Sequence, residues 1–210
     1  MLAHVMGEAE HEIVEDGWNY RHGPMFIGSP LPEGYPRPTA PGVVEIKRYP
    51  TVRRAEVEGV GSARGGSRGG FFPLFRHITD RGIAMTAPVE MDYGVAGESF
   101  DSERIAEGES AWRMSFLYRE SDLGPTGEAE RGVRVVDAEP VIVLAMGLRG
   151  ELTRDRVLDA EAALTAWVEK SPEWQKTGKK RWMGYNGPAQ RRGLQWWEVQ
   201  LIIEPKAAAE

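Results

Sequence analysis

Residues 69–93 read GGFFPLFRHITDRGIAMTAPVEMDY, and this stretch decides the fold. Phe71–Asp80 predicts a short helix: Pro73 suits a first turn, where a missing N–H is tolerated, and Gly82 suits the stop. Phe71, Phe75 and Ile78 fall on one face by i, i+4 and i+3 spacing, and Leu74 joins them. Phe72 points elsewhere, either to pack under the N-terminal extension or to offer a hydrophobic wall. Ile83–Tyr93 then reads as a strand interrupted by Pro88.

Upstream, Val43–Tyr49 (VVEIKRY) and Thr51–Gly59 (TVRRAEVEG) alternate as strands on either side of Pro50. A glycine-rich loop is expected from Gly59 to Gly70, and an acidic loop up to Ser110 precedes a strand at Ala111–Arg119. The second half repeats the order. Pro140–Leu148 is an apolar strand, and Thr153–Lys170 is a helix with Thr153 as N-cap. Val157, Ala160, Leu164, Trp167 and Val168 form that helix's apolar face, and Pro172 ends it. Lys180–Tyr185 is a strand, Asn186–Gly187 a turn, and Leu194–Glu204 the closing strand. Strand–helix–strand–strand, twice, predicts an α+β fold. Two such units would join into a curved antiparallel sheet or distorted barrel flanked by two helices.

Residues 1–42 stand apart as an extension. Pro24, Pro30, Pro32, Pro36, Pro38 and Pro41, with Gly23, Gly28, Gly34 and Gly42, predict irregular chain on the surface. His4, His11 and His22 fall here without a spacing that would fix a metal, so solvated side chains are expected. The ordered domain is then 43–210.

A formal net charge of −6 argues against a global grip on nucleic acid. With no cysteine, disulfides, thiolate ligands and Cys nucleophiles are excluded, which fits a reducing cytoplasm. No apolar run is long enough for a membrane span, and the acidic start lacks a secretory signal's apolar region. Seven tryptophans, five of them from Trp167 onward, read as core packing or as the lining of a pocket for a flat ligand. Nothing in the sequence sets the oligomeric state.

Several of these segments together resemble the SOUL/haem-binding protein family. They are VEIKRYPTVRRAEVEGVG (44–61), GFFPLFRHI (70–78), GIAMTAPVEM (82–91), GYNGP (184–188) and WWEVQLII (196–203). The resemblance covers about 43–204, and the pairing of E-I-x-R-Y-P with A-M-T-x-P-V is its specific part. It implies a duplicated βαββ arrangement. It also implies that haem or another tetrapyrrole binds, weakly, in a hydrophobic groove between the first helix and the loop before the last strand. The matching positions are Arg68, Phe71, Phe75 and Arg76 on the helix, with Gln190 and Arg191 in the loop. Phenylalanines would stack on the macrocycle and arginines would meet its propionates. His77, the lone histidine of the ordered domain, and Met85 are the candidate iron ligands, both poor ones. A macrocycle held without ligation is the expectation.

Other features carry competing chemistry. RGGSRGG (64–70) resembles an RNA-binding tract but is expected to be a flexible loop. Lys179, Lys180, Arg181, Arg191 and Arg192 form an anion-attracting mouth or an ordinary solvated face. Glu198, between Trp197 and Val199 in the last strand, either faces outward or enters a cavity. In related effector-binding domains such an acid meets cationic ligands or acts in hydrolysis, here with Tyr185 as partner. No nucleophile elbow, HExxH or P-loop is present to support an enzyme.

Overall fold

The glycine-rich stretch before Phe71 is helical. The structure is a computed structural model describing residues 2–60, 63–93, 111–187 and 189–207, without the side chains of residues 2, 63–68 and 93. In it helix α1 spans Ala63–Asp80, so the expected flexible loop at 63–70 is corrected and Pro73 lies inside the helix. Glycine weakens a helix by about 1 kcal/mol per residue, a penalty that packing can outweigh. At Gly70 the reason is visible: a Cβ there would meet Met114 Cβ at 3.1 Å and the Trp112 ring at 3.2 Å. The bare backbone lets the helix lie close on its sheet. The acidic loop expected before Ser110 falls at 94–110, outside the described residues.

The chain divides into two compact units. One holds Ser29–Glu33 and Thr51–Glu139. Its strands are β6 (Val52–Val60), β7 (Val89–Tyr93), β8 (Ala111–Leu117), β9 (Gly127–Glu128) and β10 (Arg134–Ala138). They run in the antiparallel order β7-β8-β6-β10-β9. Residues 83–88, expected to be strand, are not, and β10 is a strand that the sequence reading missed. Cross-strand partners share a face, so Ala55, Val57, Met91, Met114 and Phe116 lie together on the α1 side. Arg54, Glu56, Glu90 and Ser115, all buried, lie on the other.

The second unit holds Met1–Gly28, Gly34–Pro50 and Pro140–Glu210. Its strands β1 (Leu2–Met6), β5 (Val44–Tyr49), β11 (Val141–Arg149), β12 (Trp174–Gly184) and β13 (Trp196–Pro205) run β1-β5-β11-β13-β12, all antiparallel. Helix α2 (Arg154–Lys170) starts at Thr153, whose side chain accepts from the Arg156 N–H. Its buried Val157, Ala160, Leu164 and Val168 pack on Val44, Leu144, Val199, Leu201 and Ile203. The N-terminal stretch is not irregular as expected. β1 pairs with β5, and β2 (Ile13–Asp16), β3 (Asn19–His22) and β4 (Met25–Ile27) form a separate meander. The prolines cluster between these strands and β5, where no ladder hydrogen bond is lost.

The α+β class and the repeated order are present: β6-α1-β7-β8, then β11-α2-β12-β13. In both repeats the last strand sits between the other two. The expected barrel is corrected. Among the described residues the strand rows stay open: β1 and β9 each pair on one side only, and β9 is two residues long. Closure would need a further ladder at these edges.

Candidate functional site

Two constellations stand out, one in each unit. In the unit containing α2, strand alternation turns Lys47 and Tyr49 of β5, Arg181 of β12 and Glu198 and Gln200 of β13 away from the helix. Lys47, Glu198 and Gln200 have no exposed surface. Glu198 Oε1 accepts from Lys47 Nζ at 2.7 Å, the Thr39 N–H at 2.7 Å and Tyr185 OH at 2.8 Å. Its Oε2 accepts from Gln200 Nε2 at 2.6 Å and faces Tyr49 OH at 3.5 Å. Lys47 Nζ also donates to the Arg37 carbonyl at 2.8 Å, and Trp196 Nε1 donates to the Thr39 carbonyl at 2.7 Å. Arg181 donates to Gln200 Oε1 at 2.7 Å and lies over the Tyr49 ring.

The electrostatics follow from this burial. Burial pushes the Glu198 carboxyl up, but Lys47 and the donated hydrogen bonds outweigh it and hold it below the ordinary carboxylate value. Burial pulls the Lys47 ammonium below its ordinary value, opposed by Glu198. Tyr185 and Tyr49 are raised well above the usual phenol range by burial and then by the Glu198 charge. The result is an internal ion pair with its acceptor saturated. Residues 37–41 of the N-terminal stretch take part in it. Gly147 of β11 lets them approach, since a Cβ there would stand 2.2 Å from the Ala40 carbonyl oxygen.

The other constellation is the outer side of α1. The core direction runs through Gly70, Leu74, His77 and Ile78, all buried, not through Phe71, Phe75 and Ile78 as the spacing suggested. That rotation leaves Phe72 and Phe75 exposed at 69% and 46%. Phe71 is half-buried, stacks on Phe75 with centroids 5.8 Å apart and 11° between planes, and meets the Phe116 ring edge-on. Arg76 is exposed and one turn beyond Phe72. Phe72, left out of the expected site, therefore belongs to the exposed aromatic strip. Only the burial of its neighbours reveals this.

His77 is 3% exposed, and its Nε2 lies 2.8 Å from Tyr118 OH. It is about 200° around the helix from Phe75. It cannot ligate an iron held on the Phe71–Phe75 side. Met85 is half-buried in the non-strand segment after α1. The Arg68 side chain lies outside the described ones, while Gln190 is half-buried and Arg191 exposed in the loop before β13. Those two belong to the unit containing α2, and α1 belongs to the other.

The basic residues 179–181, 191 and 192 do not gather into one mouth. Adjacent residues of a strand face opposite ways, so Lys180 pairs with Glu161 at 2.7 Å while Arg181 turns into the Glu198 network. Arg192 pairs with Glu151 at 3.5 Å. His22 is buried against Trp196, not solvated, with His11 edge-on to it. Among the described residues no group of three His, Cys, Asp or Glu is placed to hold a metal ion, and no helix is long and apolar enough to cross a membrane.

A family model described as "SOUL heme-binding protein" matches residues 37–200. No curated protein matches the chain. The EcmrR C-terminal domain is similar in structure, with TM-score 0.58 and 14% identity over 77% of this chain and 96% of that one. A hydrolase from Listeria innocua is similar with TM-score 0.55 and 11% identity, over 80% and 94%. The EcmrR chain in its DNA complex matches with TM-score 0.57 and 14% identity over 77% of this chain, which spans 57% of that one. At these identities the likeness is one of fold.

Proposed function

Because this chain belongs to the SOUL haem-binding protein family, we propose that it binds haem or a related tetrapyrrole, for carriage, buffering or sensing of that ligand in the cytoplasm. The observation that carries the reading is the stacked Phe71–Phe75 pair, with exposed Phe72 beside it and Arg76 one turn on. A porphyrin offers a flat apolar face and anionic propionates. Exposed aromatic rings next to a guanidinium match both. Arg68 on the same helix is a further proposed contact, with Met85 nearby in sequence. His77 is engaged with Tyr118, so the macrocycle is held by its faces and rim without a histidine from α1. Such binding is modest in affinity.

A hydrolytic or effector-binding role through Glu198 and Tyr185 gains no support from the geometry. Every donor around Glu198 belongs to the chain itself, and the carboxylate has no exposed surface.

Haemin titration tests the proposal. The wild type gives a saturable Soret shift. Phe72→Ala with Phe75→Ala weakens it about 10-fold or more, at about 1 kcal/mol or more per stacked ring. Stability falls by about 0.5 kcal/mol or less at Phe72 and by about 1 kcal/mol at Phe75, whose ring stacks on Phe71. A linear, unsaturable response from the wild type refutes the reading.

A further inference from the structure

The meander of β2, β3 and β4 has an inner and an outer face. Cross-strand pairing puts Ile13, His22 and Met25 in one row and Tyr20 and Ile27 in the next. Tyr20, His22, Met25 and Ile27 are buried, while Val14 and Arg21, which pair on the outer face, are exposed. Two attachments fix the inner face to β13. The His22 ring lies 5.7 Å from that of Trp196. Asn186 Nδ2 donates to the Phe26 carbonyl of β4, and its Oδ1 accepts from the Trp196 N–H, both at 2.7 Å. Trp196 has no exposed surface, and its Nε1 bond to the Thr39 carbonyl joins it to the Glu198 network.

His22 suits this place only while it is neutral. It is 3% exposed, and its Nε2 is buried without a hydrogen-bond partner. The single proton of the neutral ring therefore belongs on Nδ1, and a second proton would sit on Nε2 with no acceptor. A charge buried without a partner is costly. Nothing packed round the ring offsets that cost. Ile13 of β2, Met25 of β4 and Trp196 of β13 carry no charge. The loop before β2 brings His11 edge-on at 5.4 Å, with Glu10 Oε1 3.9 Å from the His11 Nε2. A proton on His11 repels one on His22, and Glu10 only partly answers it. Burial, then the His11 charge, holds the His22 pKa below its ordinary 6.5, opposed by Glu10 and by backbone hydrogen bonding at His11 and His22.

We propose that the β2–β4 meander is an acid-released flap, closed over Trp196 while His22 is neutral and lifted when His22 takes up a second proton. Nε2 is shut off from water in the closed form, so the proton enters as the flap lifts. The lifted form binds it with the ordinary affinity of histidine, and the closed form binds it only at lower pH. Closure is therefore fully stable above pH 6.5 and weakens as pH falls from there toward the lowered value. While the closed form stays neutral, opening gains about 10-fold per pH unit, or up to about 30-fold between pH 7.5 and pH 5. A small meander stripped of its packed face is not stable alone, so its own ladder hydrogen bonds open with it.

Hydrogen exchange of the full chain, corrected for the intrinsic pH dependence of the rates, tests the flap. Amides of residues 13–27 should lose protection about 10- to 30-fold between pH 7.5 and pH 5, while those of α2 change by about 3-fold or less. His22→Phe keeps a ring without a titrating nitrogen, and His22→Gln keeps polarity without one. Each should make protection of 13–27 independent of pH to within about 3-fold, whatever its absolute level. The His22 ring itself, followed by ¹H–¹³C NMR among the four histidines and assigned by its loss in His22→Phe, should titrate below pH 6.5. Protection of 13–27 that does not change with pH in the wild type, the same fall in both variants, or a His22 ring that titrates at or above pH 6.5 each overturns the proposal.

Discussion

Lys47→Met removes the ammonium that pairs with Glu198 and keeps the length of the side chain. The wild-type pair has Nζ 2.7 Å from Oε1 with both side chains fully buried. Breaking a buried pair by deleting one partner costs about 3–5 kcal/mol, because the other charge is left uncompensated. Four donors remain on Glu198, from the Thr39 N–H, Tyr185, Gln200 and, more distantly, Tyr49, which places the loss near the lower limit. The Arg37 carbonyl also loses its donor, worth about 1 kcal/mol. A total of ~4 kcal/mol corresponds to a fall in Tm of about 8–16 °C for a chain of this size. Calorimetry of a double-mutant cycle separates charge from packing. Glu198→Gln in the Lys47→Met background should recover about 2 kcal/mol, since no uncompensated carboxylate then remains. The penalty should also shrink between pH 7 and pH 5. Without Lys47, burial raises the Glu198 carboxyl, and protonation relieves the isolated charge. Strictly additive losses in the cycle, or a penalty that does not change with pH, would refute the account of Lys47 and Glu198 as a charged pair.

Two further outcomes follow from the same region. Glu198 has a folded-state pKa below its ordinary 4.5, so its contribution is fully present above that value and is lost as pH falls through the lowered pKa. Tyr49 and Tyr185 are raised above 10.0, so theirs is present below pH 10 and is lost as pH rises further; a Tm profile that stays flat above pH 10 contradicts this. Gly147→Ala places a methyl group 2.2 Å from the Ala40 carbonyl and 2.4 Å from that of Thr39, both backbone atoms that cannot rotate away. It should cost about 3 kcal/mol in chemical denaturation and deprotect the Thr39 amide to hydrogen exchange, whereas native-like protection at Thr39 would show that the 37–41 segment does not depend on the close approach.

The repeated strand–helix–strand–strand order was legible in the residues. Period-two alternation at 44–49 and 196–203, period-3.6 spacing at 154–170 and the Thr153 cap are local signals, and each element formed where those signals lay. The local signals failed where packing overrode them. Four glycines between 65 and 70 argue against a helix, yet α1 runs through them because the sheet beneath rewards close approach at Gly70. Proline density argued for irregular chain before Val43, yet β1, β2 and β3 all precede the first proline, Pro24, and β4 fits between Pro24 and Pro30.

The candidate sites divide the same way. Sequence alone supplied the aromatic and arginine composition of α1 and the family motifs, because residue type and spacing are written in the chain. It did not supply the rotation of α1. Whether Phe72 or Ile78 meets water depends on which face the sheet buries, and a short helix with apolar residues all round leaves that open. Nor did it supply the partner of Glu198. Lys47 lies 151 positions away and becomes a neighbour only when β5 and β13 flank β11. A strand fixes the direction of its own side chains, but which charge meets which is set by strand order. That is why the fold could be read from the sequence and the Lys47–Glu198 pair could not.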